Sequence, residues 1–555
     1  MVRTIPTWAC AGLLLGASGV SAQSGGAQSG LKFGENWLTT VRDSELVAKN
    51  FPAVEGVELL SPYFQDPESV NPAFVNGTDG PTDDFQLDFF IRKLAQRNAW
   101  LTYQAADFQS EEGRAIPYVY LSSPGSSSTR NDTAAAGSSK LRVYIQGGIH
   151  GNEPASDQSV LALLGKMDAN QTWAASILDR MDIKILPRYN VDGVAYFQRQ
   201  LSSNLDPNRD HIKLMKDQTR RIKQVISDFS PHIAIDIHEY SAPTIYGGHY
   251  QQGSDALISG GINLNIHGAI RSLVLDTFIP AMGARLEAHG LRWEHYVTGA
   301  SNSTPGSEIA FTQAVTEPRT NRNAAGLTQA VSFLLETRGI RLADQHFQRR
   351  VATHLLKVEA VLELARDRAG EVYGEIERAR ADFIASDDPI VVTDSYTPTG
   401  LRNFTMVDRR SGAVVQAPVR WVATTPSVPE LTRPRPEAYL IPRTWAAVAE
   451  RLRVLGLRVE TLDEEFRGQV GTLTVANSTL ERELYEGHVL NTVSTREGRR
   501  EVVLPPGSFR VSTRQKNAAL AFVALEPENI DSYVTFNIIP VSAGEEYPIF
   551  RIPRS

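Results

Sequence analysis

A chain of 555 residues, 42% hydrophobic and 21% charged, is too long for one hydrophobic core and has the composition of a globular protein of two or three domains. A net charge of −7 argues against a nucleic-acid partner. No stretch after the N-terminus is apolar for long enough to anchor the chain in a membrane as a helix.

Residues 1–22 read as a secretory signal peptide: Arg3, an apolar run from Ala9 to Val20, and the small-residue end Val20-Ser-Ala22 before Gln23. The expected location is therefore secreted, extracellular. Cys10, the only cysteine, falls inside that signal, so the mature protein is expected to hold no disulfide and no reactive thiolate. Sequons at Asn76, Asn131, Asn170, Asn302, Asn403 and Asn477 fit a glycoprotein.

Residues 23–83, rich in Gly, Ser, Pro, Asn and Asp, read as a linker, wrapping segment or pro-segment. From Asp83 a helical pattern (Phe85, Leu87, Phe89, Ile91, Leu94) runs to Trp100, and the turn Ser110-Glu-Glu-Gly-Arg114 leads into a strand, Ile116 to Leu121. Ser122 to Ser139 is low in complexity and reads as an exposed loop.

The next stretch is the one the chain is organised around: Arg142-Val-Tyr-Ile-Gln-Gly-Gly-Ile-His150-Gly-Asn-Glu153-Pro. An apolar strand, Val143 to Ile145, breaks at two glycines and delivers an imidazole and a carboxylate just past its end. In open α/β sheets ligands bind beyond the carboxyl ends of strands, and His with Glu there supplies two of the three protein ligands a catalytic zinc takes. A helix is expected from Ser156 to Met167, and a strand from Ile183 to Leu186 ending in Tyr189-Asn190-Val-Asp192-Gly193. Leu205-Asp-Pro-Asn208-Arg209-Asp follows, then a basic amphipathic helix from Lys213 to Phe229 whose charges are read as a solvated face. Ile233-Ala-Ile-Asp-Ile-His238-Glu-Tyr240 and Val331-Ser-Phe-Leu-Leu-Glu336-Thr-Arg338-Gly are two more buried-strand runs, each carrying a chemically active residue near its end. Asp344 to Arg366 is a long helical pattern. Strands alternating with helices predict an α/β fold with a mixed, mainly parallel central sheet flanked by helices.

Beyond Asp387 the pattern changes to short alternating runs (Ile390 to Thr393, Val419 to Ala423, Glu501 to Val503, Tyr533 to Ile539) with one helix, Trp445 to Leu455. Residues 387–555 are read as a smaller β-rich α+β domain, with no recognised chemistry.

Taken together, H-x-x-E, N-x-D-G, N-R, a strand-borne His and F-x-x-E-x-R, in that order, resemble the zinc carboxypeptidases of the carboxypeptidase A/B family over about residues 84–366. The catalytic domain is accordingly expected at 84–370. The resemblance implies one Zn2+ per chain held by His150, Glu153 and His238, with peptide or protein C-termini as substrate. Zinc polarises a carbonyl and lowers the pKa of its water, and a carboxylate must carry the proton to the leaving amine. Two glutamates compete for that role. Glu336 aligns with the family's strand and lies one loop before the closing helix, and Glu317, in Val315-Thr-Glu-Pro-Arg319, precedes it; Glu336 is preferred. Asn208 and Arg209 match the family's pair for the free carboxylate, a role suited to a planar guanidinium. Arg199 is the candidate for stabilising the oxyanion, and Arg188 is read as a structural ion-pair partner. Tyr296 corresponds loosely to the family's substrate-closing tyrosine, but its spacing suits Glu317 better than Glu336. The implied activity is a secreted zinc metallocarboxypeptidase. The alternatives are a zinc deacylase or amidase for small N-acyl or cell-wall substrates, and a binding protein without catalysis on this fold.

Overall fold

Strands apolar on both faces need cover on both sides, and the runs of that composition occupy the middle of the principal sheet. The structure, a computed structural model, describes residues 34, 38–66, 71–124 and 139–554. The expected signal segment with Cys10, the Asn131 sequon and residues 125–138 of the Ser-rich loop lie outside the described residues.

Leu101–Gln109 (β1), Ala115–Leu121 (β2), Leu141–Gln146 (β3), Met181–Leu186 (β4), Ile233–Ser241 (β5), Ala256–Gly260 (β7), Trp293–His295 (β8) and Val331–Ile340 (β11) form one eight-stranded sheet. Its order is β1-β2-β4-β3-β5-β11-β7-β8. The four inner strands β4, β3, β5 and β11 run parallel, while β2 on one side and β7 on the other run against them. β11 is buried along its whole length. In β3 the alternation is plain: Val143 and Ile145 enter the main core, and Tyr144 between them joins a second cluster with Ile222 and Ile226 on the opposite face.

The helix after β3, Pro154–Ala169, starts with proline at its first turn, where no backbone N–H is needed. It packs against the long helix Phe347–Asp367 over one face of the sheet. The first helix, Asp84–Arg97, is opened by a capping box between Asp83 and Gln86. The basic helix is shorter than expected, Asp217–Phe229, and its charges are not all solvated. Lys223 is buried, because this helix covers the second face of the sheet, and Lys213, in the turn ahead of the helix, is buried as well. Lys213 Nζ donates to the Arg209 carbonyl at 2.7 Å and lies 3.1 Å from Asp210.

The segment ahead of Asp83 wraps the body. Val41 donates its backbone N–H to the Arg341 carbonyl, and the buried Asp43 receives Arg338 at 2.5 and 2.8 Å with His346 at 3.3 Å. Burial pushes the Asp43 carboxyl up, but Arg338 and His346 outweigh it and hold its pKa down at about 2.

Past Ala385 the strands are far longer than the sequence runs suggested. Ile390–Asp408 (β12) and Val414–Arg433 (β13) form an antiparallel hairpin. It joins Tyr250–Gln252 (β6), Val297–Thr298 (β9) and Ala310–Gln313 (β10) in a five-stranded sheet ordered β6-β12-β13-β10-β9. Register shifts near Pro398 and Gly400, where ladder pairing lapses, broke the hydrophobic alternation that a sequence reading relies on. A third sheet holds Ala438–Ile441 (β14), Glu460–Thr461 (β15), Phe466–Tyr485 (β16), His488–Leu504 (β17), Phe509–Ser512 (β18) and Phe550–Ile552 (β19). Tyr533 to Ile539, expected as a strand, forms turns. Its side chains Tyr533, Val534 and Ile539 are buried in the same core cluster as Val143 and Leu335, so apolar content there reflects burial without a strand.

Candidate metal centre and active site

Parallel strands bring their carboxyl ends to one edge, and three of the expected residues meet there. Past β3 the chain turns at Gly148, in a left-handed conformation at φ +62. Gly151 then crosses the 190–193 loop so closely that a Cβ would stand 2.0 Å from the Gly193 carbonyl carbon. This crossing fixes His150 on one side of it and Glu153, the residue before the Pro154 helix, on the other. His238 comes from β5.

His150 Nδ1 lies 2.7 Å from Glu153 Oε1, and His238 Nδ1 lies 3.1 Å from both His150 Nδ1 and Glu153 Oε2. One donor atom from each of the three falls within 4.8 Å of the others, and all three residues are buried. Both imidazoles point their outer nitrogens at carboxylates: His150 Nε2 is 3.2 Å from Asp206 Oδ1, and His238 Nε2 is 3.0 Å from Asp236 Oδ2. A carboxylate at Nε2 keeps the proton there and turns the Nδ1 lone pair inward, the arrangement that orients histidine ligands. Two inward lone pairs with a carboxylate between them repel one another unless a cation or a shared proton lies among them. The donor set of two nitrogens and one oxygen fits zinc. Glu153 is further held by the Glu239 backbone N–H at 2.9 Å. Burial raises its pKa, but His150 and His238 outweigh that and hold it well below the usual range.

Glu336 stands in β11 directly beside His238 in the parallel register. It is buried, and its Oε2 has no hydrogen-bond partner. Burial, opposed by His238, raises its pKa to about 8. Lys357 donates to the Glu336 backbone carbonyl at 2.7 Å and so steadies the strand at that position.

Arg199 borders the donor cluster: Nη1 is 3.2 Å from His150 Nδ1 and 3.3 Å from Glu153 Oε1, while Nη2 and Nε grip Asp206 Oδ2 at 2.9 and 3.2 Å. Asn208 lies with its amide nitrogen 3.4 Å from His238 Nε2 and accepts the Asn321 N–H at 2.9 Å. Arg209, on the same short 3-10 turn, donates to the Asn208 carbonyl and feels the charges of Asp206, Tyr485 and Glu317. Arg188 is elsewhere, buried against Asp157 at 2.7 Å and Asp84 at 2.7 Å, in the structural pairing expected of it.

Spacing along the chain tied Tyr296 to Glu317. In the fold the Tyr296 phenol is pushed up to about 12 by burial and then by the Glu336 charge, and the Arg322 guanidinium lies 5.7 Å from its ring. Between Tyr296 and Glu336 the chain forms β10 and the short helix Asn321–Gly326. Glu317 lies 3.5 Å from Arg319, among Arg209, Arg322 and Tyr485.

Sequence reasoning missed Asp206 and Asp236. Asp236 could have been found, since it lies two residues before His238 and a strand repeats its faces every two residues. Asp206 adjoined a motif already noted, Pro207-Asn208-Arg209. It also missed Tyr485 and Glu486, at the tip of the β16–β17 hairpin: Glu486 accepts the Asp206 backbone N–H at 2.8 Å across 280 residues of chain. No sequence signal points to that contact.

Comparison with known proteins gives matching relatives. The sequence pattern of a family described as zinc carboxypeptidase matches residues 89–251. Carboxypeptidase 2 of Trichophyton rubrum is 49% identical over 526 residues, covering 94% of this chain and 96% of the relative. Probable carboxypeptidase 2 of Arthroderma benhamiae is 48% identical over 505 residues, covering 91% and 94%. Of solved structures, a metallo-carboxypeptidase from Burkholderia cenocepacia superposes on 51% of this chain and 69% of its own, at a TM-score of 0.39 and 15% identity.

Proposed function

The chain belongs to the zinc carboxypeptidase family, and from that premise we propose that it is a secreted metallocarboxypeptidase that releases single residues from peptide C-termini at the crevice of His150, Glu153, His238 and Glu336. The observation that carries the assignment of residues is the unpartnered, buried Glu336 carboxylate oxygen set beside a converging pair of imidazole Nδ1 atoms and the Glu153 carboxylate.

His150, Glu153 and His238 would hold the zinc, and Asp206 and Asp236 keep the two imidazoles in the ligating tautomer. When bound, zinc supplies a Lewis acid for the scissile carbonyl and for water. Glu336 takes the proton of the attacking water and passes it to the departing amine nitrogen. Arg199 donates to the carbonyl oxygen as it gains negative charge, and its grip on Asp206 fixes the guanidinium in advance of that demand. Arg209 binds the free α-carboxylate, with Asn208 beside it. Tyr296 reaches the bound residue from the Glu336 side.

The secreted location rests on the N-terminal signal pattern, and the described sequon asparagines Asn76, Asn170, Asn302, Asn403 and Asn477 are all exposed, as glycosylation requires. Among the described residues no helix is long and apolar enough to cross a membrane.

Peptides with free and with amidated C-termini, incubated with and without a zinc chelator, test the reading. Release of single C-terminal residues from the free peptides alone, lost on chelation and restored by zinc, is expected. Cleavage of amidated peptides at a similar rate overturns it.

A further inference from the structure

The β16–β17 hairpin departs from the rest of the third sheet. Residues 479–484 on its outgoing strand are exposed, yet the tip becomes half-buried again at Tyr485 and Glu486. What re-buries it is the catalytic half of the chain. Glu486 Oε2 accepts the Asp206 backbone N–H at 2.8 Å, and Gly487 faces Leu205. The Arg319 guanidinium lies over the Tyr485 ring at 5.0 Å. Arg319 is anchored in turn by Asp531, another C-terminal residue, through its backbone N–H at 2.6 Å and its Nε at 2.7 Å.

The residue that Glu486 holds has three duties. Asp206 orients His150, grips Arg199, and with its own side chain accepts the Asn208 N–H at 2.8 Å, which opens the turn that presents Arg209. A shift of this loop therefore moves the groups assigned to the substrate carboxylate and to the carbonyl oxygen together.

The turn itself bears a cost. Tyr485 and His488 pair across a two-residue loop in which Glu486 has φ +47 and Gly487 φ +79. Such loops favour Asn-Gly or Gly-Gly, since a side chain at positive φ is strained. A glutamate kept in that position, with its carboxylate on the Asp206 amide, is what a functional constraint looks like.

We propose that the tip of the C-terminal hairpin is a built-in part of the substrate pocket, in which Glu486 is a positioning residue for the Asp206–Arg209 loop and Tyr485 with Arg319 forms the wall beside it. The inference rests on the reading of Arg209 as the carboxylate-binding residue. It assigns a role to residues 387–555, whose sequence carries no recognisable chemistry.

The test uses the full-length zinc-loaded enzyme and variants Glu486→Ala, Glu486→Gly, Glu486→Gln, Arg209→Ala and, on the exposed strand, Arg482→Ala. Glu486→Ala and Glu486→Gly are expected to raise KM for a free-carboxylate peptide about tenfold, the scale of one lost hydrogen bond to a charged acceptor, with kcat within about threefold and zinc stoichiometric. Glu486→Gln, which retains an acceptor oxygen, and Arg482→Ala should match the parent. Glu486→Gly relieves the positive-φ strain, so its melting temperature should equal or exceed the parent's while its KM rises. A purely structural role predicts that KM and melting temperature worsen together. The inference is overturned if KM in both Glu486→Ala and Glu486→Gly stays within twofold of the parent while Arg209→Ala raises it, or if Glu486→Gly loses stability in step with activity. An unchanged KM in Arg209→Ala overturns the underlying reading, and this inference with it.

Discussion

Replacing Glu336 with glutamine should abolish turnover while making the metal-depleted protein more stable, a combination that few other substitutions share. In the metal-depleted chain burial moves the parent carboxyl from 4.5 to about 8, so at pH 7 it stays protonated there and is ionised in the unfolded chain, whereas a zinc cation bound beside it would favour the ionised form that accepts a proton. A group with a raised folded pKa contributes its full stability below the unfolded pKa and loses it as pH rises towards the folded value. Between 4.5 and 7 the loss is about 2.5 units, or roughly 3 kcal/mol. Glutamine never ionises and so avoids that loss, but it buries an amide in a site where one carboxyl oxygen has no partner, which costs about 1–2 kcal/mol. The net expectation is a gain of about 1–2 kcal/mol at pH 7 that turns into a loss of about 1–2 kcal/mol at pH 4. Urea midpoints of the chelator-treated parent and variant at the two pH values measure it. With zinc restored, kcat should fall by about 10²–10⁴ while the affinity for a C-terminal product is kept, since the base moves protons and does not hold the carboxylate. A variant with kcat within tenfold of the parent, or equally less stable at both pH values, would refute the placement of this carboxyl.

His150→Ala and His238→Ala should each lose zinc, seen as sub-stoichiometric metal in the purified protein; a full complement in either removes that residue from the ligand set. Glu317→Gln should alter KM by less than about tenfold and leave kcat nearly unchanged, because Glu317 is paired with Arg319; a loss of kcat comparable to that of Glu336→Gln would transfer the proton-carrying role to it. The Asp43 carboxyl, held at about 2 against its ordinary 3.8, stabilises the fold above pH 4 by on the order of 2 kcal/mol, a contribution lost as pH falls towards 2. Asp43→Asn should therefore narrow the difference between acid and neutral melting temperatures, and an unchanged difference would count against the strap as an ion-pair lock.

The chemistry of the ligands was legible in the sequence because each lies at or near the end of an apolar run, and buried parallel strands announce themselves by continuous apolar composition. Assigning His150, Glu153 and His238 to one site takes the resemblance of the motifs in order, and Glu336 is preferred to Glu317 for its place one loop before the closing helix; the parallel register sets Glu336 beside His238. Spacing is a weak guide at Tyr296, because a strand and a helix lie between it and Glu336 in the chain. The long hairpins were illegible for a related reason: half-exposed strands with proline, glycine and register shifts lack a steady period of two. What only the tertiary structure decided is the partnership between distant parts. Asp43 closes on Arg338 at the end of β11, and Glu486 reaches the Asp206 amide from the C-terminal hairpin. Each joins polar groups on segments hundreds of residues apart. Local composition encodes which residues can form a strand, a turn or an ion, but the pairing of two such groups depends on where the whole chain has packed.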